Sequence, residues 1–230
     1  MKNQFLFVTL IFLTLAGCNN GKSNNQSSID NPETKLGWML GAGTYTFNRF
    51  TFLQSLDKID SCNLKYVECF PGQVIGEGIE GTMDYHMDAT TQKEILKKLG
   101  DKGMTLVAYG VITPDSESEW RKLFDFGKAM GIQTFTSEPK EKDLPLISGL
   151  CDEYKINVAI HNHPYPKHYW NPDTVLAAIK GRSNRIGACA DIGHGVRSDL
   201  DPVECLKKME GHVFHVHMKD IEAMEGKDKG

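Results

Sequence analysis

Chemistry in this chain gathers at the ends of short apolar runs. ValAlaIle is followed by His161, Asn162 and His163, and a run ending at Ala190 opens into Asp191-Ile192-Gly193-His194. His215-Val216-His217-Met218-Lys219-Asp220 comes later, and Glu68 and Glu138 close two further runs. A strand points residues i and i+2 to one face, so His161 and His163 look the same way. Imidazoles mixed with carboxylates suit a divalent ion such as Mn²⁺, Zn²⁺ or Co²⁺. No CxxC pair is present, which disfavours a zinc ribbon or a thioredoxin-type site.

The elements that position these groups alternate. Strands are expected over Leu36–Gly41, Leu64–Cys69, Met104–Val111, Ile132–Ser137, Ile156–His161, Ile186–Asp191 and Val213–His217. Between them, Phe50, Leu53, Leu56 and Ile59 recur at helical spacing, as do Ile95, Leu96 and Leu99. Ser116-x-x-Glu119 reads as a capping box, and Asp201-Pro202 and Asn171-Pro172-Asp173 as helix starts. Such alternation implies βα units and a parallel sheet. No GxGxxG or P-loop marks a nucleotide site. Polar residues at nearly every strand end favour a (β/α)8 TIM barrel over an open sheet, because a barrel assembles its site there. Seven strands are countable, and only Met218 to Gly230 follow the last. The expectation is an incomplete barrel, truncated before its eighth βα unit and open at its first and seventh strands.

The N-terminus reads as an export signal. Lys2 precedes an apolar core from Phe5 to Leu15, too short to span a bilayer comfortably. Leu15-Ala16-Gly17-Cys18 resembles a bacterial lipobox, with Cys18 as the lipidation site. Residues 1–18 are then a lipoprotein signal peptide, 19–34 a flexible polar tether and 35–230 the barrel domain. This places the protein outside the cytoplasm, lipid-anchored to a bacterial membrane. Net charge is −4 with no basic block, which disfavours a nucleic-acid partner. Of the six cysteines, Cys69 and Cys189 lie in apolar runs and are expected as buried thiols; a disulfide is left open.

CysAlaAspIleGlyHis and HisMetLysAsp, with HisAsnHis before them, resemble the sixth-, seventh- and fifth-strand patterns of the xylose isomerase-like barrel superfamily of sugar phosphate isomerases/epimerases. The resemblance covers about Lys35 to Asp220. It implies one divalent metal held at the strand ends by Asp191 and His217, with His161 where the family usually has glutamate. The family's fourth ligand, a strand-eight glutamate, is absent. The implied reaction is proton abstraction next to a carbonyl of a non-phosphorylated sugar or keto-sugar. Within it, Glu138 is an extra ligand or base, and Glu68 a base or a hydroxyl binder. His194 and Lys219 bind substrate oxygens or stabilise negative charge, and His163 lines or orients the site. Phe70, Tyr169, Trp170 and Trp38 are candidates for stacking on a sugar. Two other readings are a metal-dependent lyase or hydratase of 3-keto-glucosides and a non-catalytic sugar-binding lipoprotein. The partner is a small sugar or glycoside, and oligomeric state is undetermined.

Overall fold

A computed structural model of the chain describes residues 32–221. The lipobox, Cys18 and nearly all of the tether lie outside the described residues. The chain divides into two compact units, Met1–Trp38 and Met39–Gly230. The described part of the first holds one short helix, α1 (Pro32–Lys35), followed by the exposed Leu36 and Trp38.

The second unit alternates as the sequence demands. Its elements are β1 (Gly41–Gly43), α2 (Phe52–Ser61), β2 (Tyr66–Cys69), β3 (Val74–Gly76), β4 (Ile79–Thr82), α3 (Ala89–Asp101), β5 (Thr105–Gly110) and α4 (Glu117–Met130). There follow β6 (Thr134–Ser137), α5 (Leu144–Tyr154), β7 (Asn157–His161), α6 (Pro172–Ile179), β8 (Ile186–Asp191), α7 (Ile192–Arg197), α8 (Pro202–Lys208) and β9 (Val213–His217). Seven strands form one parallel sheet in the order β1-β2-β5-β6-β7-β8-β9. The sheet curls, because Glu68 on β2 bonds His217 on β9, near the far end of that order. This is an incomplete TIM barrel: among the described residues no eighth strand pairs with β1 or β9.

Local chemistry sets the helix ends. Thr51 and Gln54 cap α2 reciprocally, and the apolar stripe Phe52, Leu53, Leu56 and Ile59 is buried beneath it. Asn171 and Asp201 cap α6 and α8 as expected, each just before a proline. Ser116 caps α4, but only half of the expected box forms. Glu119 turns instead to Tyr85 and His86, whose charge and hydroxyl are better partners than a backbone amide. The core lies between sheet and helices, with Phe124 edge-on to Phe135 at 5.3 Å and Tyr109 edge-on to Phe126 at 5.2 Å. All five described cysteines are free, and Cys69 and Cys189 are buried.

Two elements differ from expectation. The first strand is not Leu36–Gly41 but Gly41–Gly43, and Leu36, Trp38, Met39 and Leu40 are exposed. An apolar run imitated a buried strand, whereas the residues that pair with β2 are small. The second is the antiparallel hairpin β3–β4 between β2 and α3. Its turn residues Glu77 and Gly78 both have positive φ, 51° and 83°, the condition for a tight hairpin.

Candidate metal centre

Asp191 is the centre of the arrangement. It ends β8 and caps α7: Oδ1 accepts the His194 amide at 3.0 Å. Capping commits one carboxylate oxygen and leaves the other facing the strand ends. Oδ2 is buried and makes no hydrogen bond. Around it stand His161 Nε2 at 3.5 Å, His217 Nδ1 at 3.5 Å and His194 Nε2 at 3.7 Å. Lys219 Nζ lies 2.7 Å away as an ion pair, off the direction of a hydrogen bond. Burial alone would raise the Asp191 pKa; the surrounding imidazoles and Lys219 overcome it and keep the group a carboxylate. Gly193 permits this approach, since a Cβ there would lie 2.9 Å from Lys219 Cβ.

Asn162, just past β7 and between His161 and His163, has a role that was not anticipated. Its side chain donates to the Asp191 carbonyl at 3.0 Å and accepts the Asp191 amide at 2.7 Å. It extends the β7–β8 ladder by one rung and fixes the backbone that carries the carboxylate. No spacing rule announces this, because asparagine at a strand end reads as a turn residue.

His161 is buried, and its Nδ1 has no hydrogen bond. His163 bonds the Glu138 carboxylate through Nδ1. Burial opposes ionisation of Glu138, yet the nearby His161 imidazole and the hydrogen bond from His163 lower its pKa to about 2. On the other flank, burial likewise opposes ionisation of Glu68. It accepts from His217 Nε2 at 2.7 Å and His215 Nε2 at 3.2 Å, and these bonds hold it well below the carboxylate range. Burial disfavours charge on His217, but Asp191 and Glu68 on either side push its pKa up. Cys189, whose thiol burial raises to about 11, stays neutral and adds no charge beside it. His194 is held neutral, its pKa lowered to about 3, first by burial and then by Lys219 and the neighbouring imidazoles. Its Nδ1 meets Arg197 Nη1 at 2.8 Å.

Ring contacts of 4.7–5.1 Å link His215, His217, His161, His163 and His194 in a continuous row. Among the described residues, four triplets are close enough to share an ion. They are His161/Cys189/His217, Glu68/His215/His217, Glu138/His161/His163 and His161/Asp191/His194, and His161 belongs to three. The donor set fits a divalent metal: a buried carboxylate oxygen and a buried imidazole nitrogen, both without hydrogen bonds, sit among neutral and anionic ligand types.

Of the expected metal residues, His161 Nε2 and His217 Nδ1 each lie 3.5 Å from Asp191 Oδ2, but the three do not together make one of those triplets; Glu138, Glu68, His163, His194 and Lys219 lie around them. The aromatic candidates are placed differently. Phe70 packs edge-on against Tyr45 at 5.2 Å. Trp170 packs edge-on against Tyr165 at 5.3 Å and lines a small apolar cavity with Val175, Leu206 and Met209. Tyr169 is buried and donates its hydroxyl to the Pro139 carbonyl at 2.7 Å, so it packs beneath the Glu138 loop and offers no stacking face. Trp38 belongs to the N-terminal unit. His215, Arg197 and Thr136 join the site without having been assigned to it. The alternation His-Val-His was the available signal for His215.

No family model and no curated protein matches the chain. Solved structures do. A Parabacteroides distasonis protein, described only as putative and uncharacterised, is 33% identical, with 80% of this chain and 75% of that one covered and a TM-score of 0.71. A D-tagatose 3-epimerase-like protein is 17% identical over 83% of this chain and 78% of its own, at a TM-score of 0.64. A probable 3-DHS dehydratase from Bacillus anthracis is 14% identical over 82% and 75%, at 0.61. The chain belongs to the family of the Parabacteroides distasonis protein, and its fold is that of the xylose isomerase-like TIM barrels.

Proposed function

We propose that the protein is a divalent-metal-dependent enzyme that moves a proton on the carbon beside the carbonyl of a small sugar or keto-sugar. The observation that carries this reading is Asp191 Oδ2, buried without a hydrogen bond, ion-paired with Lys219 and faced by His161 and His217. Those three residues would hold the ion. When bound, it would polarise a substrate carbonyl and favour loss of the neighbouring proton. The chain's own groups supply the rest. Glu138 accepts a hydrogen bond from His163 Nδ1 and so orients that ring, whose Nε2 is left to accept a proton from carbon. His194 accepts from Arg197 at Nδ1 and its Nε2 meets Lys219 Nζ at 3.5 Å, which leaves the lysine ammonium as the group that can donate to a substrate oxygen. Lys219 adds a positive charge on the same side.

A hydrogen-bond donor beside the proton acceptor also suits elimination, so a lyase acting on 3-keto-glucosides is the second reading. A non-phosphorylated substrate follows from the lipobox and from anchoring through Cys18; labelling with radioactive palmitate, lost in Cys18→Ser, tests that step. The reaction is tested by incubating free sugars and keto-glycosides in heavy water and following deuterium at the carbon next to the carbonyl. Metal-dependent exchange, falling about 100-fold or more in His163→Ala, is expected. Equal metal content in the wild type, Asp191→Ala and His217→Ala would remove the site from the reaction.

A further inference from the structure

Glu68 sits one strand from the edge of the sheet, yet its carboxylate reaches β9. Both oxygens are engaged: Oε1 accepts from Thr136 Oγ1 at 2.9 Å, and Oε2 accepts from His217 Nε2 at 2.7 Å and His215 Nε2 at 3.2 Å. Its side chain is only 10% exposed. A group held from three sides is badly placed to swing toward a substrate carbon. The ladders that hold these two strands are also irregular at the relevant residues. The β2–β5 register skips Val107 opposite Glu68, and the β8–β9 register skips Phe214 just before His215. Such bulges re-aim side chains. Gly187 accommodates the second one, since a Cβ there would meet the Phe214 ring at 2.6 Å.

We propose that Glu68 is a positioning residue that locks His217 in the tautomer protonated at Nε2 and so makes Nδ1 the metal-binding nitrogen. The proposal rests on the metal-site reading above. Its geometric basis is that the two ring nitrogens face different carboxylates. Nε2 is 2.7 Å from Glu68, a hydrogen-bond distance, while Nδ1 is 3.5 Å from Asp191 Oδ2, the oxygen that faces the site and not the helix cap. Cys189 does not compete: its Sγ is 3.9 Å from both ring nitrogens, so it is aimed at neither lone pair. A carboxylate on the far nitrogen of a metal-bound imidazole fixes ring orientation and raises ligand basicity. Thr136 in turn fixes the carboxylate.

The test uses the full chain, nitrogen-labelled and loaded with a magnetic cadmium isotope. Scalar coupling from cadmium to His217 Nδ1, with a slowly exchanging proton on Nε2, is expected in the wild type. Coupling to Nε2 overturns the lock, and this readout needs no variant to fold. In Glu68→Ala, cadmium affinity falls about 10–100-fold and the Nε2 proton exchanges rapidly. Glu68→Gln, which keeps an accepting oxygen, retains coupling at Nδ1 and recovers part of the affinity. Unchanged affinity and exchange in Glu68→Ala overturn the proposal. A wild type that takes up no cadmium at all instead overturns the metal-site reading beneath it.

Discussion

Strands β8 and β9 are neighbours and each carries one of the central residues, yet they are held in different ways. β8 is buried along its whole length and paired on both sides, with β7 and β9. β9 is half-buried, pairs only with β8 among the described residues and exposes Val216. Asp191 on β8 is fixed by near contacts: its own helix cap and the Asn162 clamp from the adjacent strand. His217 on β9 is fixed by a residue 149 positions away, Glu68. One half of the site is therefore made by local backbone chemistry, and the other half depends on closure of the curled sheet.

The widest separation between these halves is expected at Asp191. Asp191→Ala removes both the metal-facing oxygen and the helix cap. Metal affinity should fall beyond the roughly 10–100-fold cost of losing an outer partner, and stability should fall by about 1 kcal/mol from the cap. Asp191→Asn keeps a capping oxygen, so thermal unfolding should recover while calorimetry still shows weak metal binding. Parallel recovery of both would mean that the cap and the site are not separable.

Hydrogen exchange sharpens the contrast at the next level. Amides of β9 should exchange faster than those of β8, and Asn162→Ala should accelerate the Asp191 amide selectively, leaving β9 unchanged. Metal affinity in that variant should drop about 10-fold. Uniform acceleration across both strands would contradict the division. A smaller effect of opposite sign is expected at Lys219, whose ammonium is 2.7 Å from Asp191 and repels an incoming cation. Lys219→Met should bind metal roughly a few-fold more tightly while losing turnover, measured by competition with a chelating dye.

The smallest effect lies away from both strands. His86 touches Asp84 at 2.7 Å and Glu119 at 2.6 Å, and the hydrogen bond to Asp84 leads in raising its pKa. A raised folded-state pKa means that this contact stabilises below the ordinary histidine range and is lost as pH rises through the folded value. The site is largely exposed, so the contribution is small. Proton NMR should show His86 titrating above its ordinary value, and Glu119→Gln should bring it partway back. No change in that variant would dissociate the β4–α3 loop from α4.

Legibility followed the range of the interactions involved. The alternation of strands and helices, the caps at Asn171 and Asp201, and the gathering of imidazoles and carboxylates at the strand ends were written in periodicity and in which residue types end each strand. The half-formed cap at Ser116 was not, because Glu119 found Tyr85 and His86 through packing of a distant loop. The first strand was misplaced because hydrophobicity was read as burial, whereas Leu36 to Leu40 lie exposed.

Taken alone, the order of residues determined the parallel βα architecture and the kinds of atom available to a metal, since strand period and helix capping act over a few residues. Which oxygen of Asp191 caps and which faces the site, and which nitrogen of His217 meets Glu68, were decided only by the folded sheet. Those choices depend on distances between strands far apart in sequence, which curling and two register shifts set and no local pattern encodes.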